Sequence, residues 1–143
     1  MPLSRRGMSP LIATVLLMAF AVALGGMIMN LSIDLGASEA CEGITVQFPE
    51  FCARDRQIDL RLYNTPDSAP LQGIRVDVTD GGVESSLNVK SSAVAPGGRL
   101  DIGIPYPASP GAAARVIAIV GSPSAPYACA ETPLIIADPL PPC

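Results

Sequence analysis

Residues 5–34 read RRGMSPLIATVLLMAFAVALGGMIMNLSID, and after Arg6 no charge appears until Asp34. A span of about 20 apolar residues is enough to cross a bilayer as a helix. The basic pair Arg5-Arg6 precedes the run, which places that end on the cytoplasmic side and all that follows the run outside. Pro10 suits the first turn of a helix, where its missing N–H would be unpaired anyway, and Ser9 suits the N-cap. From Leu11 onward the pattern is apolar on every side, as in a helix that meets lipid or is packed all round. The run predicts one long helix over residues 8–40. Ala19/Ala23 and Ala21/Gly25 are small residues four apart, which permit close approach of another helix. Gly25-Gly26 is the expected weak point or bend.

The junction before the run discriminates among several readings. A secretory signal has an apolar core of about 7–15 residues and a small-residue cleavage site after it. Here the run is longer, and Gly36-Ala37-Ser38 is a poor site. A lipoprotein would need small residues just before its first cysteine, where Glu39 stands two before Cys41. A plain anchor fits the length but leaves Gly7-Met8-Ser9-Pro10 without a role. The stretch from Arg6 through Gly7-Met8-Ser9-Pro10-Leu11-Ile12-Ala13-Thr14-Val15 to Leu16-Leu17 closely resembles the N-terminus of archaeal type IV pilins and archaellin-like subunits. In that family a short basic leader, a class III signal peptide, is cut at a small residue on the cytoplasmic side of the apolar run. The resemblance covers residues 5–30 and implies a leader over 1–7, with Arg5, Arg6, Gly7 and Met8 as the processing residues. It implies cleavage between Gly7 and Met8 by a prepilin peptidase. The retained helix, with Pro10, Leu11, Ile12, Val15, Leu16, Ala19, Ala23, Gly25 and Gly26 on its surface, would then be the assembly element. Bacterial pilins of this broad type carry Glu five residues into the mature chain; here that position is Ile12, which suits an archaeal subunit.

Beyond residue 40 the pattern changes. The chain has 143 residues, so the remainder suffices for one small domain. With no Trp, three Phe and three Tyr, its core must be aliphatic. Ile58, Leu60 and Leu62 alternate with Asp59, Arg61 and Tyr63; Ile74, Val76 and Val78 alternate with Arg75, Asp77 and Thr79. Each set is a strand with one buried and one wet face. Further strands are expected over 43–48, 83–90, 99–104, 113–121 and 131–137. Asn64-Thr65-Pro66-Asp67, Asp80-Gly81-Gly82, Pro96-Gly97-Gly98, Ser109-Pro110-Gly111 and Ser122-Pro123 supply the turns. About seven strands with regular turns predict an all-β immunoglobulin-like sandwich over 41–143. The resemblance implies the same architecture.

Cys41, Cys52, Cys129 and Cys143 all lie beyond the apolar run. An even count in an extracytoplasmic domain predicts two disulfides. A zinc site is disfavoured, because the chain has no His and no C-x-x-C pair. Of the three connectivities, the local one conflicts with extended strands over 43–48 and 131–137. Those strands separate Cys41 from Cys52 and Cys129 from Cys143 by more than the roughly 7 Å a bridge spans. If the first and last strands pair in parallel, Cys41 meets Cys129 and Cys52 meets Cys143, the pattern favoured here. Antiparallel pairing would join Cys41 to Cys143 and Cys52 to Cys129.

The remaining motifs point away from chemistry. The formal charge is −4, and removal of Arg5 and Arg6 lowers it by two more. With a single lysine and no basic patch, no nucleic-acid partner is indicated. The absence of His excludes the usual triads and the copper site of cupredoxins. Lys90 beside Ser91 and Ser92 reads as a polar strand end rather than a Ser–Lys pair. Asp77-x-x-Asp80-Gly81-Gly82 lacks the spacing and closing Glu of a calcium loop and reads as a hairpin turn. Asn30-Leu31-Ser32 is a glycosylation sequon at Asn30. No enzyme activity, cofactor or metal is expected.

The functional expectation is a structural subunit: a membrane-inserted precursor that leaves the bilayer to become part of an extracellular surface filament. Its partners would be identical subunits, the prepilin peptidase and a membrane assembly platform. The alternatives are a monomeric membrane-anchored extracellular β-sandwich that binds a ligand, and a minor pseudopilin.

Overall fold

The computed structural model describes residues 9–143, the side chains of 30–38 excepted. The expected processing residues Arg5, Arg6, Gly7 and Met8 and the side chain of Asn30 lie outside the described residues. Two compact units divide between Gly36 and Ala37.

Helix α1 runs Pro10–Glu42, 33 residues. Its start is set by Ser9, whose carbonyl accepts from the amides of Ile12 at 2.9 Å and Ala13 at 3.2 Å. Thr14 Oγ1 donates to the Leu11 carbonyl at 2.9 Å, so even this hydroxyl is satisfied within the helix. The helix continues through Gly25-Gly26 and past residue 40. Its last turn persists because tertiary contacts hold it: Ala40 and Cys41 pack against the core of the second unit.

Eight strands follow: β1 Val46–Arg54, β2 Gln57–Asn64, β3 Gly73–Asp80, β4 Val83–Val89, β5 Arg99–Pro105, β6 Ala113–Ser122, β7 Ala125–Ala128 and β8 Ile135–Ala137. One sheet has the order β1-β2-β5; the other has β4-β3-β6-β7, with β8 also on β6. Every pair is antiparallel. Hairpins β1-β2, β3-β4 and β6-β7 stay within a sheet, and the intervening connections cross between sheets, the arrangement of an immunoglobulin-like sandwich. The core between them is aliphatic, with Ile58, Leu60 and Leu62 of β2 and Ile74, Val76 and Val78 of β3 almost fully buried. Buried Asn64 ties two loops to this core by donating from Nδ2 to the carbonyls of Ala69 at 3.1 Å and Val94 at 3.2 Å.

Three strand expectations need correction. The first strand is Val46–Arg54, not 43–48. Thr45 is withheld from the ladder because its amide bonds to Ser68 Oγ and its carbonyl to the Thr65 amide. The strand then continues through a bulge between Gln47 and Glu50, where Pro49 has no N–H to offer. The bulge lets Phe48 and Phe51, three residues apart, both join the core, which strict alternation forbids. Of the expected strand 131–137 only Ile135–Ala137, β8, is strand, residues 131–134 belonging to a loop, and a short strand that was not expected, β7, precedes that loop at Ala125–Ala128. Finally, the first and last strands do not pair: β8 lies on β6, and it is Pro142 that forms a parallel bridge with Ala53 of β1.

Two turns depend on glycine. Gly81 and Gly82, with φ of 59° and 82°, close the β3-β4 hairpin as a type I′ turn. At Gly121, φ is 96° and an added Cβ would lie 2.6 Å from the Ala125 carbonyl oxygen.

The compact unit begins at Ala37, so a domain cut at residue 37 retains Cys41 with its helical turn. It is expected to be soluble, monomeric and rich in β signal by circular dichroism. The same domain cut at residue 43 loses the Cys41 bridge and is expected to be about 2–4 kcal/mol less stable in urea unfolding. Equal stability of the two fragments would show that the last helical turn is not part of the domain.

Candidate functional site

The apolar helix surface is the first candidate. Over Pro10–Met29 the mean hydropathy is 2.5 and no residue is buried. Leu11, Val15, Leu16, Met18, Phe20 and Val22 are all more than half exposed, and Ile12 is half exposed. Pro10, Ala19, Ala23, Gly25 and Gly26 are exposed as well. Nothing lies within 4 Å of the space a Cβ would fill at either glycine. At 1.5 Å per residue this stretch is about 30 Å long, the thickness of a bilayer's hydrocarbon core. A continuous apolar surface of that size is not left in water by a monomeric soluble protein. It is long and apolar enough to cross a membrane, and it offers no polar face by which to lie flat on one.

The second candidate is the set of cysteines. Cys41, in the last turn of α1, is bonded to Cys129, which follows β7; their Cα atoms are 5.8 Å apart. Cys52 of β1 is bonded to Cys143, with Cα atoms 5.0 Å apart. The bridged residues are 88 and 91 positions apart in sequence, so each bond closes a long loop. Two such bonds belong to an oxidising compartment. Glu50 approaches the Cys52–Cys143 sulfurs closely enough to suggest a ligand cluster. Those sulfurs are committed to each other and carry no thiolate, so the cluster has no metal-binding chemistry.

The outer faces of the sandwich carry ion pairs. On the three-stranded sheet Arg61 meets Asp101 at 3.0 Å and Glu50 at 3.4 Å, and Arg54 meets Asp59 at 3.2 Å. Both arginines are at least half exposed, so water screens these pairs and they contribute little. The other sheet has a tighter centre. Arg75 grips Asp77 with two bonds, at 2.9 and 3.1 Å, and Arg115 approaches at 3.3 Å while also meeting Glu84 at 3.2 Å. Asp77 is 3% exposed. Burial by itself would raise its carboxyl, but a hydrogen bond from Ser86, the bonds and charge of Arg75 and the charge of Arg115 together hold it below the usual Asp range. This centre floors an open groove of about 390 Å³ whose lining includes Glu84, Ile136 and Asp138. Arg75 and Asp77 are two apart on one strand, so their shared face was legible in the alternation; Arg115 joins them only because β6 pairs with β3, setting Asp77 opposite Arg115.

The other sequence motifs resolve into structural roles. Lys90 and Ser91 are exposed, while buried Ser92 donates from Oγ to the Val89 carbonyl at 2.6 Å and accepts from the Ile74 amide at 2.9 Å. Asp80 Oδ2 accepts from the Ser109 amide at 2.9 Å, and Asp77 is held by arginines, so neither carboxylate is free for calcium. No known protein-family model, curated protein or solved structure matches this chain.

Asp77→Asn is expected to destabilise the sandwich by about 1–3 kcal/mol at neutral pH, through loss of charged hydrogen bonds at a buried group. The folded carboxyl is depressed, so its contribution is present above the unfolded Asp value of about 3.9 and fades as pH falls through the lower folded value. The gap in urea midpoint between wild type and Asp77→Asn should therefore narrow below about pH 4. A gap that stays constant into strong acid would show that the charge of Asp77 contributes nothing.

Proposed function

We propose that this chain is the structural subunit of an archaeal type IV pilus-like surface filament. The observation that carries the reading is the fully exposed, chargeless stretch Pro10–Met29 set directly behind the Arg5-Arg6-Gly7-Met8 junction. Cleavage after Gly7 removes the two charges that tether this end to the cytoplasmic face. The helix that remains is stable in lipid, and equally stable against copies of itself, where tight packing replaces lipid contacts. Ala19/Ala23 and Ala21/Gly25 provide flat surfaces for such packing. The sandwich buries its own core and carries its own disulfides, so it can pass from the membrane surface to a filament sheath without refolding. The helix would form the filament core and the sandwich its exterior.

Two measurements test the reading. N-terminal mass spectrometry of material sheared from the cell surface is expected to find a start at Met8. A start near Glu39 would mean ordinary secretory cleavage and would sink the filament reading; an uncut N-terminus would mark a plain membrane anchor.

Ala19→Asp places a charge where neither water nor a partner is available, at a cost of about 2.5–3.5 kcal/mol on membrane-insertion scales. Because the cost recurs in every subunit, electron microscopy of cells carrying this variant is expected to show no filaments. Filaments at normal yield would show that the helix does not line a packed core.

A further inference from the structure

A strand at the edge of a sheet offers its unpaired backbone groups to any other chain. Strand β1 is such an edge, paired with β2 on one side only. Near its end the other side is occupied. The Ala53 amide donates to the Pro141 carbonyl at 2.8 Å, and the Cys143 amide donates to the Ala53 carbonyl at 3.0 Å. Together they make the parallel bridge between Ala53 and Pro142. In this pattern residues 141 and 143 face β1, and the bridging residue between them turns its backbone groups away. The outward position is therefore Pro142, which has no N–H to donate. Further back on the same edge stands Pro49, inside the bulge. The free edge of β1 is thus covered at its Ala53 end and lacks a donor at Pro49.

The segment 139–143 is fastened at two ends. Leu140 is 6% exposed within the core, and its amide donates to the Ala112 carbonyl at 2.7 Å. Cys143 is bonded to Cys52, one residue from Ala53 on β1 itself. Two backbone hydrogen bonds are a weak hold on a short segment, whereas the disulfide makes detachment from Ala53 impossible without moving β1. We propose that segment 139–143 is an edge guard, locked by Cys52–Cys143, that denies β1 to a strand from a second copy of this chain. The need is greatest where copies are crowded, but the guard does not depend on the filament reading, and its failure would leave that reading standing.

The test uses the full chain in detergent micelles, with site-resolved amide exchange and infrared spectroscopy. In Cys52→Ala/Cys143→Ala the Ala53 amide is expected to exchange at least about tenfold faster than in wild type, as in a local opening, while the Val76 and Val78 amides of β3 keep their protection. The infrared signal of intermolecular β pairing should then grow with protein concentration. Leu140→Ala, which keeps both disulfides, is expected to leave Ala53 protected and that signal at the wild-type level. The proposal is overturned if Ala53 stays protected without the bond, or if β3 loses protection with it, since the bond would then hold the whole domain. It is also overturned if Ala53 opens without intermolecular pairing, or if Leu140→Ala alone releases it.

Discussion

A helical surface of about 30 Å without a charge cannot remain in water, and the rest of this protein is arranged around that constraint. The surface must be covered by lipid or by other helices. Cover by lipid would set the following domain on one side of a membrane, and its two disulfides fit an oxidising compartment. A domain on that side must be stable without help from the helix. The sandwich meets this requirement: its core is closed by β2, β3 and β6 aliphatic side chains, and the division between the units falls before the last helical turn, not after it.

That last turn carries more than its length suggests. Glu39, Ala40 and Glu42 are good helix formers, so local propensity already favours a helical turn here. Burial of Ala40 and Cys41 and the bond to Cys129 hold it in place. The segment that follows is equally determined by its neighbours, since Thr45 spends its backbone groups on the 65–68 loop before β1 begins. The two disulfides act at separate places: one secures the helical turn to the strand region after β7, the other secures segment 139–143 to β1. The sandwich is therefore cross-linked at its start and at its edge by separate bonds.

The polar surface follows a comparable division. The ion pairs around Arg54 and Arg61 rest on arginines that are at least half exposed and contribute little to stability. The Arg75–Asp77–Arg115 centre is different, because Asp77 is buried beneath its partners and would be costly to leave alone. It clamps β3 to β6 from the outer face, opposite the apolar contacts of the same two strands on the inner face.

The sequence by itself determined the helix and the class of the fold. Those follow from local quantities: an unbroken apolar run, a change of period from all-round to two, and turn residues at regular intervals. Arg75 and Asp77 could be assigned a common face for the same reason. Only the tertiary structure decided where β1 runs, that β7 forms at Ala125–Ala128 and β8 is confined to Ile135–Ala137, that α1 extends to Glu42, and that Arg115 and segment 139–143 have partners. Each depends on a contact between residues far apart in sequence. A bulge at Pro49 shifts the phase of alternation between Phe48 and Phe51, so the strand expected to end at residue 48 in fact continues to Arg54; β7 and β8 pair different stretches of β6, with a loop between them. Periodicity reports which face of an element is apolar. It carries no information about which distant backbone group will satisfy a given amide, and that choice is made only when the sheets close on one another.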